Sequence, residues 1–163
     1  MNGNGATRVL ERLKLRAADM ADLQVISTCL QDALTSVGEM TFLPRRRRFV
    51  MLASRFMWER QQAASADGER VRAGLRFQHV LGAQVLGIEQ HDRRGLLSLL
   101  AITATERADG VDIVLRFAGG GVVRLLAECI DCQLADLSRP WPTPHRPLHA
   151  IEEPAAVTAE RRR

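Results

Sequence analysis

Tyrosine is absent from this chain and lysine nearly so: of 23 basic residues, 22 are arginine and one is Lys14. That bias is what a GC-rich genome writes into any protein. A net charge of +4, with 19 acidic residues interspersed, therefore gives a mild attraction to polyanions and does not define a nucleic-acid binder. Long apolar runs are missing too. None approaches the roughly eighteen residues a membrane-spanning helix needs, which excludes that class of membrane protein. The polar start, residues 1–6, leads into no apolar signal segment, so the expected location is the cytoplasm. Cysteine is scarce and odd in number (Cys29, Cys129, Cys132), which excludes a disulfide framework and favours reduced thiols. Nor is there a GxSxG, HExxH, Walker or GxGxxG element, and each missing motif removes an enzyme or nucleotide-binding class.

What remains is 163 residues, 46% of them hydrophobic, enough for one domain with its own core. Leu13 and Leu15 alternate with Lys14 and Arg16 as in a short half-buried strand. Asp19 is placed to cap a helix, with Asp22 in its first turn. Leu23, Ile26, Leu30, Ala33 and Leu34 then follow at spacings of three and four, predicting a helix to about Ser36. Beyond Gly38 the period changes to two. Residues 40–43 and 49–58 read as a hairpin turning at the arginine run. In the second strand Phe49, Met51 and Ala53 share one face and Val50, Leu52 and Phe56 the other, the pattern of a strand covered on both sides. Val71, Ala73, Leu75 and Phe77 define a cleaner one-sided strand, and residues 80–88 a weaker one. Residues 96–130 read as a three-stranded meander with turns at Asp109-Gly110 and the run Gly119, Gly120, Gly121. Residues 133–137 suit a short helical turn.

The expected fold class is α+β: a mainly antiparallel sheet, strongly bent or partly closed, with one N-terminal amphipathic helix. Prolines at 140, 142, 144 and 147 make residues 139–149 an extended strap, in which Trp141 is expected to be buried against the domain. Residues 1–11 read as a flexible N-terminus, 12–149 as a single domain including the strap, and 150–163 as a disordered tail.

Several stretches carry a resemblance together: LKLRAADMADLQVISTCLQDAL, FLPRRRRFVMLASRFMWE, RVRAGLRF, LLSLLAI and RPWPTPHRPLH. Over roughly residues 12–149 the chain resembles a small alphaproteobacterial family known only as a domain of unknown function. The resemblance implies one domain in a bacterial cytoplasmic setting, and no activity, cofactor or catalytic residue.

Two constellations are candidate sites. Cys129, Cys132, His145 and His149 have the spacing of a Cys2His2 zinc site. A zinc finger sets its histidines one turn apart on a helix, however, and Pro144 and Pro147 break that stretch. The plainer expectation is a buried Cys129 continuing the Val123, Leu125, Ala127 face, with Cys132 packed nearby. Arg45, Arg46, Arg47 and Arg48 form a possible anion contact, although four consecutive arginines in a turn cannot all point one way. His79 and His91 have no nucleophile or carboxylate at motif spacing, so no catalytic set emerges. The function is not legible. The residues favour a non-enzymatic binding or accessory protein acting through a protein partner, with no cofactor and no membrane. The alternatives are a metal protein or enzyme built on the Cys/His set, and phosphate or nucleic-acid binding through the arginines.

Overall fold

In the computed structural model, which describes residues 12–60, 68–144 and 147, the α-helix starts where the sequence places it. Helix α1 spans Met20–Cys29, and the Asp19 carboxylate accepts a 2.8 Å hydrogen bond from the Asp22 N–H. Leu23 and Ile26 on α1, and Leu30 just beyond it, are buried. The helix ends well short of Ser36. Asp32 takes a left-handed conformation (φ 61°), its N–H donates to the Leu99 carbonyl at 2.8 Å, and the Leu99 N–H donates to the Ala33 carbonyl at 2.9 Å. Strand β2 (Leu34–Ser36) follows instead. Apolar residues at 30, 33 and 34 serve a helix or a turn into a strand equally well, and an available ladder on strand β7 (Leu96–Arg107) decides it.

Nine further strands complete an antiparallel sheet. They are β1 (Lys14–Ala17), β3 (Met40–Leu43), β4 (Arg48–Phe56), β5 (Gly68–Phe77), β6 (Val80–Leu86), β8 (Gly110–Phe117), β9 (Val122–Ala127), β10 (Cys132–Asp136) and β11 (Trp141–Thr143). Their order is β1-β10-β5-β4-β2-β7-β8-β9-β6, with β3 paired to β4 and β11 to β5. The sheet is not closed: β1 and β6 end the path. The expected meander is present as β7, β8 and β9 in consecutive pairing. Alternate residues of both strand sets, among them Met51, Leu75, Leu115 and Leu125, join Leu23, Ile26 and Leu30 of the helical segment in one core.

Three expectations need correction. Residues 133–137 are not a helical turn, because Cys132 and Leu134 enter the core from β10 at period two while Gln133 and Ala135 face outward. Strand β4 is not covered along both faces: Leu52 is 41% exposed, so its outer face is open at mid-strand. Trp141 is 38% exposed rather than buried. Its segment is held by backbone pairing, Trp141 opposite Arg70 and Thr143 opposite Gly68, and not by burial of the indole.

Candidate functional site

The outer face of β4, β5, β10 and β1 follows from their register. Directly opposed residues in antiparallel strands share a face. One row runs Val50, Arg76, Gln133, Arg16, and the next Leu52, Gly74, Ala135, Lys14. Then come Ser54 with Arg72, and Phe56 with Arg70 and Trp141. Arg48 lies on the same face, two residues before Val50. At the centre Gly74 has no side chain, and Leu137 packs into the space: a Cβ there would stand 3.2 Å from a Leu137 methyl group. Leu52 (41% exposed), Leu137 (49%) and Trp141 (38%) thus form an open apolar strip. Of the six cations on this face, Arg70 is buried and donates to the Ser54 carbonyl at 2.9 Å. Two of the other five (Lys14, Arg16, Arg48, Arg72 and Arg76) meet carboxylates, Arg72 with Glu39 and Arg16 with Asp131 at 3.8 Å. Among the described residues Arg48 and Arg76 hydrogen-bond the side-chain amides of Gln78 and Gln133 respectively. Among the described residues no carboxylate answers Lys14, Arg48 or Arg76.

The arginine run is scattered by its backbone. Pro44–Arg46 makes a 3-10 turn and Arg47 is left-handed (φ 48°, ψ 48°). Arg47 turns to Glu128 at 3.0 Å, Arg48 begins β4, and Arg45 and Arg46 are exposed. The four do not form one cradle.

Sequence reasoning missed the ionic centre at the end of the core. Arg55, fully buried, donates through Nε and Nη2 to both carboxylate oxygens of Asp136, each at 2.8 Å. It also donates to Glu59 at 2.7 and 3.1 Å. Asp136 further accepts from the Leu13 N–H at 3.1 Å, which ties the start of the domain to β10. Burial pushes the Glu59 carboxyl up, but the hydrogen bonds from Arg55, a backbone hydrogen bond and the Arg55 charge together outweigh this and hold it below its ordinary value. With two carboxylates on one guanidinium, the cluster ties β4 to β10 and to the 3-10 turn Trp58–Arg60.

The two cysteines part company. Cys129 is exposed and Cys132 wholly buried, so the expected burial of Cys129 is corrected. A bend over residues 128–129 takes Cys129 off the β9 face, and Cys132 restarts the inward alternation on β10. Burial, with Asp131 adding to it, pushes the Cys132 thiol up to about 12, which opposes the thiolate a metal requires. His145 and His149 lie outside the described residues. Among the described residues no group of three metal-ligating side chains converges. His79, left-handed at φ 59°, stands between Glu128 (3.8 Å) and Asp131 (3.4 Å) at the surface, and His91 is exposed on the loop before β7.

Among the described residues one α-helix and an antiparallel sheet that is not closed make this a domain of the α+β class. The chain belongs to the family described as Protein of unknown function (DUF2948), which it matches over residues 13–149. No curated protein and no solved structure matches it.

Proposed function

We propose that this is a non-enzymatic binding protein of the cytoplasm whose outer sheet face docks a protein partner, acidic around an apolar centre. The observation that carries this is the strip of Leu52, Leu137 and Trp141 set near Lys14, Arg48 and Arg76, which meet no carboxylate among the described residues. Exposed apolar side chains gathered on one face mark interaction surfaces, and tryptophan and arginine are the residues that most often anchor them. Trp141 is the single exposed aromatic on that face, which gives single-stranded nucleic acid little to stack on and favours protein. Arg45 and Arg46 are exposed in the turn before β4 and add to the positive charge, and the free cysteines fit a reducing compartment.

The test compares proteins retained from lysate by the immobilised wild-type chain and by a Leu52→Asp, Leu137→Asp variant. Retention should resist nuclease, weaken as salt rises, and be lost in the variant. Nuclease-sensitive retention would transfer the face to nucleic acid, and identical retention by both chains would remove it from the function.

A further inference from the structure

A second site lies apart from the outer face, in the slot between β3 and β6. Strand β3 pairs only with β4, and β6 only with β9, so the two facing edges carry no strand partner among the described residues. They are held near each other at both ends. The Val80 N–H donates to the Arg47 carbonyl at 2.9 Å, and the Gly38 N–H donates to the Arg93 carbonyl at 2.9 Å. Between these ties lies a cavity of about 260 Å³. Met40 and Phe42 form one wall, Ala83 and Val85 the other, and the core residues Phe49 and Val123 the floor. No ionisable side chain lines it, and Thr41 and Gln90 supply the polar groups at its rim.

We propose that this slot binds an uncharged, predominantly apolar small molecule, with its polar end hydrogen-bonded at the Thr41 and Gln90 rim. Size, polarity and the end ties each narrow the occupant. An apolar cavity of about 150 Å³ holds benzene, so this one takes a skeleton on the order of ten carbons. A charged group inside would be desolvated with nothing to pair it. Nor can a peptide strand run through the slot, because the direct bond between Val80 and Arg47 closes one end. The cavity is formed without the ligand, so little ordering opposes binding.

The probe is 1-aminonaphthalene, an uncharged ten-carbon fluorophore, titrated into the full chain. Its emission should brighten and shift blue, saturate at one probe per chain, and be reversed by decan-1-ol. Decanoate at pH 8 should compete at least about tenfold less well. Ala83→Phe, which fills the slot, should weaken probe binding at least about tenfold at an unchanged circular-dichroism spectrum. If that variant fails to fold, nuclear Overhauser contacts from bound decan-1-ol to the Met40 methyl group in the wild-type chain locate the ligand in the slot directly. Absence of saturable binding, equal competition by decanoate, or contacts confined to Leu52 and Leu137 would overturn the proposal. The last of these results would still leave the outer face intact as a partner site.

Discussion

Arg55 sits wholly buried between Asp136 and Glu59, so neutralising Asp136 leaves an interior guanidinium short of its buried counter-charge. Asp136→Asn should destabilise the domain by about 3–5 kcal/mol in urea unfolding, the usual range for breaking a buried pair. A loss below about 1 kcal/mol would show that water or Glu59 replaces it. Glu59 also gives the cluster an acid limb. A carboxyl held below its ordinary value contributes stability that is present above its unfolded pKa, about 4.3, and lost as pH falls through the folded one. Glu59→Gln should flatten the fall in unfolding free energy below that pH, and an unchanged slope would contradict the role of Arg55. Cys132 acts in the opposite direction. Its raised thiol contributes stability that is intact below the ordinary value of about 8.5 and lost as pH rises toward about 12. With no tyrosine and a single lysine, few other groups titrate in that window. Cys132→Val should therefore remove much of the alkaline loss. In the native wild-type chain Cys129 should react readily with a thiol reagent while Cys132 waits for denaturant.

At the scale of the element, β10 and β11 share one edge of β5 with an interruption between them. There the Leu137 N–H donates to the Arg72 carbonyl at 2.7 Å, while the Arg72 N–H donates to the Ser138 hydroxyl at 3.0 Å. A side chain thus takes the place of one ladder rung. Ser138→Ala should cost about 1–3 kcal/mol if the amide is left unsatisfied, and should speed amide exchange at Arg72 most. This region was poorly legible in the sequence for a physical reason. In the stretch Cys132-Gln-Leu-Ala-Asp136 the third inward position is a carboxylate, and its burial makes sense only with Arg55, 81 residues earlier in the chain. The meander and the β3–β4 hairpin were legible because their period and turns are local. The end of α1 was not, because Ala33 and Leu34 fit both periods until Leu99 supplies a partner. Gly68, the first residue of β5, is a position that takes no side chain, since a Cβ there would stand 2.2 Å from the Phe56 ring.

For the whole molecule, the two outer faces differ in how their charges are answered, and that contrast is what favours the proposed docking face. On the β7–β8–β9 side Asp112 pairs with Arg107 at 2.8 Å and with Arg124 at 2.5 Å, so those charges answer one another. Exposed leucines there, such as Leu81 and Leu100, stand on strands separated by β8 and β9. On the β4–β5–β10 side Lys14, Arg48 and Arg76 meet no carboxylate among the described residues and share the face with Leu52 and Leu137. The alternation of Arg72 and Arg76 with apolar residues was visible in the sequence. What assembles the face is the pairing of β1, β10 and β4 with β5, and those segments lie far apart in the chain. Site-specific photo-crosslinking in cells tests the docking face most directly, with the crosslinker placed at Leu52, at Leu137 and, as a control, at Leu100. Docking through this face gives one protease-sensitive, nuclease-resistant adduct of discrete mass from positions 52 and 137 and none from position 100. An adduct of equal yield from position 100, or none from position 52, would contradict it.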